Sequence, residues 1–545
     1  MDQLKEDQVK GKVLDHLGLV AATIDDLELS EKVDSILPLE NGKGNKVSMG
    51  QRVKAMILNG LGFMDDRLYM FEQFLNNKPV DRLFDKDTKA EYFNDDALGR
   101  CLDAIADYGV TKFFTEVSFY IGKKKKLIGQ TIRGDTTTLL VHGEYPEERE
   151  SNYTGARPKQ GYSKCKRGDL KQMVLHLATT GSSGFPIWME SHMGNASDKN
   201  VLVEAAKRMQ IFKEQLELDD DFIYVGDSAF YSGAVQSKDQ MKWISRVPQN
   251  IREAKQLIQK TDIEWKKTTE DYCIYPFTSQ YGGVTQRWVL VYSKPAFERE
   301  IKTLDKQIEK EESEAKKHLW HLSKETFKCA ADAKKEALRV DKFKYHKVSY
   351  EIETITSHPG KGRPKKGESP TIKSFKINAT LIKDEDKIQA EKNSKGRFIL
   401  ATNELDTKRL SDEECLKEYK KQSSTEASFQ FIKNRAFELD SIFLKKPSRI
   451  NALMSIMTLC LMVYGCAQHT LRTFLKEKNE TVPNQLGKET NHPRMQWIYR
   501  LFHGIQVLTI QTESLTQQLV INLSVLLKRI VNIFGPRAMT IYGLN

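Results

Sequence analysis

The β-branched run at residues 128–142, Ile-Gly-Gln-Thr-Ile-Arg-Gly-Asp-Thr-Thr-Thr-Leu-Leu-Val-His, carries Asp135 at its centre. Such a run reads as one strand, or as two joined by a kink. Strands are poor in aspartate, so an aspartate there points to a partner or a task. Residues 173–178 and 185–189 read as further strands, joined by the hairpin-like turn Gly181-Ser-Ser-Gly184. A helix opens at Asp198 and runs to about Leu216. Phe222-Ile-Tyr-Val-Gly-Asp227 follows as a short buried strand that ends in a second aspartate. A helix-sized piece at 228–233 and a strand at 243–247 complete the series. The order is three strands, helix, strand, helix, strand: an antiparallel meander followed by α/β units.

That order is the one an RNase H-like fold requires, and the expected class is α/β with such a core. Residues 1–120 are expected to form a helical N-terminal, DNA-binding domain, and the core to start at 121–249. Ser48-Met-Gly-Gln51 is a capping box, followed by an apolar stripe through Val53, Met56, Ile57, Leu61 and Met64. Short helices here form either a helix-turn-helix reader or a small bundle. Residues 250–410 read as an insertion domain of mixed β and helix, with a charge-dense helix or helical hairpin at 295–344. The core resumes at 411–475, where Ser411-Asp-Glu-Glu414 caps a helix and 450–474 is a long buried one. The remainder, 476–545, is expected to be helical, over 494–508 and 514–533.

The chain has 545 residues, a net charge of +11 and a pI near 9.0, a balance that fits a polyanionic partner, of which nucleic acid is the commonest. Its seven cysteines make no CxxC pair, which excludes a zinc ribbon or a thioredoxin motif and suggests reduced thiols in a cytosol. The first residues lack the apolar stretch of a signal peptide, and the most apolar run, 452–467, is short for a bilayer. A cytoplasmic protein without a membrane partner is expected.

The chemistry concentrates on three acids. On a helix, Gln422, Glu426 and Lys433 lie at about 300°, 340° and 320° from Tyr419, one stripe within about 60°. Glu426 is then a helix-borne carboxylate to join the strand-borne Asp135 and Asp227. Three carboxylates held together repel unless cations neutralise them. Hard oxygen donors with room for water and phosphate fit Mg²⁺, with Mn²⁺ as a substitute, and not Zn²⁺. Two such ions suit in-line phosphoryl transfer. Lys433 is placed to bind a phosphate, and Tyr419 to stack on or hydrogen-bond a nucleic-acid strand. The run Gly122-Lys-Lys-Lys-Lys126 is a solvated turn or a phosphate contact. Lys361-Gly-Arg-Pro-Lys-Lys366 is a solvated loop or a minor-groove hook led by Arg363.

Tyr419-x2-Gln422-x3-Glu426-x6-Lys433 resembles the Tyr-x2-Arg-x3-Glu-x6-Lys signature of bacterial insertion-sequence transposases of the DDE class. Gly-Asp135-Thr-Thr and Val-Gly-Asp227-Ser-Ala-Phe-Tyr look like that family's two aspartate motifs, and Gly161-Tyr-Ser-Lys164 with Asp169-Leu-Lys-Gln172 resembles a loop of the same subgroup. Gln422 departs from the family's arginine, so the charge at that DNA contact is lost. The resemblance covers roughly residues 10–510. It implies a metal-dependent endonuclease and strand transferase, working as a homodimer on the double-stranded ends of a mobile element and on target DNA. It implies Asp135, Asp227 and Glu426 as ligands of two metal ions, and Tyr419, Gln422, Lys433 and Lys164 as DNA contacts, to which the hook at Arg363 would add another. It also implies a hairpin intermediate with a base flipped against an aromatic residue; Trp243 and Trp288 are either that residue or, as their type favours, part of the core. The rivals are an RNase H-like nuclease without strand transfer and an inactive, transposase-derived DNA-binding protein.

Overall fold

The computed structural model describes residues 8–39, 46–62, 70–141, 145, 152–161, 167–181, 183–196, 198–215, 222–237, 241–340, 342–358, 370, 372–421, 431, 444–511 and 516–544. The chain divides into two compact units, residues 1–245 with 417–545, and residues 246–416.

The first unit opens with strand β1 (Val9–Val13), where the sequence pattern suggests helix, and continues through helices Leu17–Asp26, Leu29–Ile36 and Met49–Gly60. The last of these starts with the expected capping box: Gln51 N donates to Ser48 Oγ at 3.1 Å, and Ser48 N to Gln51 Oε1 at 2.9 Å. Met49, Gly50 and every residue from Arg52 to Leu58 are buried. A helix that enters a DNA groove needs an exposed face. Met49–Gly60 has none; helix Phe71–Asn76 follows it, and residues 63–69 between the two lie outside the described residues. Helix Asp95–Tyr108, capped by Asn94 Oδ1 on Ala97 N at 2.9 Å, and helix Val110–Lys124 complete this part.

A mixed sheet follows. Its strands are β2 (Thr131–Val141), β3 (Lys171–Thr180), β4 (Phe185–Met193), β5 (Ile223–Gly226) and β6 (Lys242–Arg246), in the order β4-β3-β2-β5-β6. β2 is one unbroken strand. The β2–β3 and β3–β4 pairs are antiparallel, whereas β2–β5 and β5–β6 are parallel. Helix Asp198–Gln215 packs on β2, β3 and β4, and helix Val110–Lys124 packs on β4.

The second unit contains strands β7 (Lys266–Lys267), β8 (Tyr272–Ser279), β9 (Gln286–Ser293) and β12 (Arg397–Thr402), joined antiparallel in the order β12-β9-β8-β7. The charge-dense stretch is two helices, Lys294–Leu322 and Ala330–Val340. They cover one face of a two-stranded ribbon, β10 (His346–Ser357) and β11 (Ile372–Lys383), through Leu319, Leu322, Ala333 and Ala337 against Ile377. Helix Asp412–Lys420 begins with the expected cap, Glu414 N on Ser411 Oγ at 3.2 Å and Ser411 N on Glu414 Oε2 at 2.8 Å. From Lys417 onward its residues belong to the first unit.

Helix Pro447–Glu477 then runs through the core of the first unit. It is long and apolar enough to cross a membrane, yet 78% of its most apolar window is buried in protein. The C-terminal region departs from the all-helical expectation. Helix Met495–Leu501 stops before Gly504, whose φ of +89° breaks the helical path, and strands follow. After the short pair β13 (Val482–Pro483) and β14 (Glu489–Thr490) come β15 (Gln506–Gln511) and β16 (Thr516–Ile521). β15 pairs with both β16 and β1, so the two ends of the chain share one antiparallel sheet. The run Val-Leu-Thr-Ile in β15 suits a strand once β1 supplies the hydrogen-bond partners. Helices Val525–Ile533 and Gly535–Ile541 close the unit. Asp25 receives Lys54 Nζ and also Arg537 Nε at 2.7 Å, which ties the last helix to the first.

Candidate active site

Asp135 lies mid-strand in β2, half-buried, with Oδ1 accepting from Thr136 N at 2.7 Å. Side chains alternate along a strand, so Thr131, Arg133 and Asp135 share one face of β2, and Ile132 and Gly134 share the other. The parallel pairing of β2 with β5 has a constant offset of 92 residues, matching Thr131 with Ile223 and Arg133 with Val225. Asp135 and Asp227 differ by the same 92, just past the last paired residues. Adjacent strands lie about 4.8 Å apart, so the two aspartates stand side by side at one edge of the sheet.

Asp227 ends β5 and starts helix Ser228–Ser237. Its Oδ1 accepts from Ala229 N at 2.9 Å and Phe230 N at 3.3 Å, the bonding of a helix N-cap. Ser245 Oγ on β6 donates to its carbonyl at 2.7 Å. The backbone at Asp227 is therefore held from both sides, while its side chain is half-exposed.

Beneath the aspartates, on the Gly134 face, lies Tyr224. Its hydroxyl is 3.1 Å from Nε2 of the fully buried His176. Burial, then the negative charges of Asp135, Asp227 and Glu190, push the Tyr224 phenol far above its usual range. This hydroxyl stays protonated and feels both aspartates. A β-carbon on Gly134 would fall 1.7 Å from the Tyr224 oxygen, which explains the glycine before Asp135. Burial holds His176 neutral, its pKa lowered to about 3.

On the Asp135 face stands Glu418, from the last turn of helix Asp412–Lys420. Its Oε2 accepts from Thr131 Oγ1 at 2.5 Å and lies 3.4 Å from Arg133 Nη2; its Oε1 accepts from Lys421 Nζ. Arg133 is only 1% exposed and also donates to Gly181 O at 2.9 Å. Burial opposes the charge on Glu418, but the bonds from Lys421 and Thr131 outweigh it and hold the carboxyl below its usual range. Glu418, Tyr224 and His176 escaped the sequence pattern. Arg133 was the available signal, because an arginine inside an apolar strand needs a carboxylate.

Among the expected site residues, Tyr419 follows Glu418 and is half-buried. Glu426, Gln422, Lys433, Lys164 and Arg363 lie outside the described residues. Among the described residues, no three His, Cys, Asp or Glu side chains gather as a metal cluster. The two aspartates still offer hard oxygen donors, half-exposed and adjacent, the donor type that suits Mg²⁺ or Mn²⁺. In the lysine run, Lys124 and Lys125 form surface ion pairs with Glu28 and Asp26 at 2.5 and 2.7 Å. Trp243 and Trp288 are core residues, 2% and 0% exposed, and offer no face to a flipped base.

Residues 131–463, from the first residue of β2 into helix Pro447–Glu477, match the family model described as the transposase DDE domain. The chain belongs to this family. It is accordingly a DDE-type transposase, a family of DNA-cleaving enzymes that typically use divalent metal. Residues 9–119 match a second model, described as a domain of unknown function, DUF4277. No curated protein matches the chain. A solved structure with similarity is the piggyBac transposase in a synaptic complex with hairpin DNA. It is 10% identical, with 90% of this chain and 80% of that one covered, at a TM-score of 0.34.

Proposed function

We propose that this DDE-domain protein is a cut-and-paste transposase of the Tyr-Arg-Glu-Lys subgroup of bacterial insertion-sequence enzymes. It hydrolyses the inverted-repeat ends of its element and joins the freed 3′ ends to target DNA. It acts as a homodimer on double-stranded DNA, in the cytoplasm and on the nucleoid. Its sheet β2–β6 would be an RNase H-like core, and residues 250–410 an insertion within it.

The observation that carries this reading is the common offset of Asp135 and Asp227 in the β2–β5 register. It supports a pair of carboxylates at one sheet edge, for which Glu426 is the third member. These three residues would hold two Mg²⁺ ions, or Mn²⁺ in their place. When bound, such ions lower the pKa of an attacking water or hydroxyl and neutralise charge on the leaving oxygen. The chain's own contribution is to fix the acids. Ser245 and the helix N-terminus hold Asp227, pairing with Leu177 of β3 holds Asp135, and Tyr224 and His176 fill the space below and keep water out. Tyr419 and Lys433 would grip the strand, with Gln422 as an uncharged contact, and Lys164 and Arg363 would add DNA contacts from loops.

The test uses a plasmid carrying the natural DNA on both sides of the coding frame. Asp135→Ala, Asp227→Ala and Glu426→Ala should each abolish Mg²⁺-dependent cleavage and leave end binding intact. Full cleavage by any one of the three removes that residue from the site. Binding without cleavage by the native chain would mark an inactive DNA-binding descendant, and cleavage without joining of pre-cut ends a nuclease.

A further inference from the structure

Helix Lys294–Leu322 carries seven Lys or Arg and seven Asp or Glu in its 29 residues, so it is neutral in sum, yet the two signs lie on different faces. At about 100° per residue, Arg299, Lys302, Lys306, Lys310 and Lys317 all fall within about 40° of the direction of Lys306, and none of the seven acids does. The buried residues Leu304, Ile308, Ala315, Leu319 and Leu322 point the opposite way. We infer that this outward stripe, with Trp320 at its end, is a docking surface for the phosphate backbone of double-stranded DNA; the inference rests on the DNA partner proposed above and not on the acids of the active site.

Several of the acids serve the fold, whereas the stripe cations do not. Glu300 accepts from Gly396 N at 3.0 Å, Glu311 from Tyr345 N at 2.8 Å, and Glu312 from Lys316 Nζ at 2.6 Å. Among the described residues, Arg299, Lys302, Lys306 and Lys317 make no ion pair, and Lys310 reaches Glu314 only at 3.9 Å. All five cations are exposed. From Arg299 to Lys317 the stripe is about 27 Å long. A duplex carries one negative charge per about 1.7 Å of its axis, so it offers phosphates along that whole length. Trp320 continues the line, 58% exposed, with Lys324 Nζ 5.5 Å from its ring centroid. A cationic track joined to an aromatic ring is the combination that nucleic-acid surfaces use. Single-strand grooves stack successive bases on several rings, and here there is one ring to five cations, so backbone contact dominates and a duplex fits better. A protein partner fits poorly, because the cores of protein interfaces are depleted in lysine.

The experiment compares the full-length triple variant Lys302→Gln, Lys306→Gln, Lys317→Gln with the native chain and with a control triple, Arg252→Gln, Lys255→Gln, Lys408→Gln. The control removes the same charge from exposed sites of the same unit. Thermal melting is measured, and binding to a labelled duplex of the DNA flanking the coding frame is followed by anisotropy across a salt series. Each phosphate contact adds about 0.9 to the slope of log affinity against log salt. The stripe triple should melt like the native chain, bind about 10- to 100-fold more weakly at about 0.1 M salt, and lose about 2–3 from the slope. The control should keep native affinity and slope. Native affinity and slope in the stripe triple would overturn the inference and leave a solvated face or a surface for an acidic protein. Equal losses in both triples would also overturn it, since net charge alone would then carry them. Trp320→Ala should weaken binding several-fold and Trp320→Phe restore it; native binding by Trp320→Ala would overturn the part assigned to the ring. Should the stripe triple melt early, Lys306→Gln alone decides, with an expected slope loss of about 1. A native chain that binds no duplex would remove the DNA partner itself, a result separable from failure of the stripe alone.

Discussion

The phenol of Tyr224 lies against the α-carbon of Gly134, so near that a methyl group there would sit 1.7 Å from its oxygen. The strand that carries Asp135 is thus seated on a tyrosine from the neighbouring strand, and that tyrosine is anchored by His176. Gly134→Ala should destabilise the protein by about 1–3 kcal/mol through overpacking and shift Asp135 out of line. Thermal melting and plasmid cleavage would both fall. Tyr224→Phe, which removes the clashing oxygen, should restore part of each in the double variant. An alanine variant with native melting and cleavage would contradict the contact.

Asp227 has two separable tasks. As an N-cap it bonds Ala229 N and Phe230 N through one oxygen. Asparagine keeps that cap, whereas alanine loses it at a cost of about 1 kcal/mol. Asp227→Asn should therefore melt close to the native protein, and Asp227→Ala lower by an amount that denaturant titration resolves. Both should be inactive in cleavage, because neither offers a carboxylate.

The N-terminal 120 residues should not fold alone. Their core is completed by helix Pro447–Glu477 and by the last two helices, with Tyr542, Phe502 and Leu459 in the same cluster as Leu19 and Phe113. Asp103 is also held bidentately by Arg449 at 2.7 and 2.6 Å. A fragment of residues 1–120 is expected to give the circular dichroism of a largely unfolded chain and to aggregate. A cooperative melt from this fragment would show an independent domain.

Stability should drop in mild acid. His16 and His176 are buried and neutral, with pKa values lowered by burial to about 4 and about 3. In the unfolded chain an imidazole protonates near about 6.5. The unfolded state therefore binds more protons as pH falls through about 6.5, and stability is lost from there down to the folded values. The full contribution is present above that range. Each histidine adds a slope of up to about 1.4 kcal/mol per pH unit inside the window. Melting temperatures measured from pH 7 to pH 4 should fall more steeply for the native chain than for a His16→Gln, His176→Gln double variant. Equal slopes would mean that other groups carry the effect.

Local chemistry was enough to read much of this chain. The β-branched run around Asp135 forms β2, the apolar run before Asp227 forms β5, and Ser48, Asn94 and Ser411 cap helices, because each signal lies within a few residues of its effect. The stripe from Tyr419 to Lys433 lies mostly outside the described residues. What pairs with what was not legible. β15 looked helical because its partner β1 comes from the other end of the chain, and a strand without a partner has no ladder to form. The burial of helix Met49–Gly60 was not legible either, because the helices that cover it come from other parts of the chain. The sequence by itself determined the strands and helices whose signals are local, such as β2, β5 and the capped helices, and which acids they carry. Only the tertiary structure decided that Asp135 and Asp227 share a register, that Tyr224 needs Gly134, and that Arg133 reaches Glu418. These are contacts between residues tens to hundreds of positions apart, and they exist only once the strands are laid side by side and the helix is set on their face.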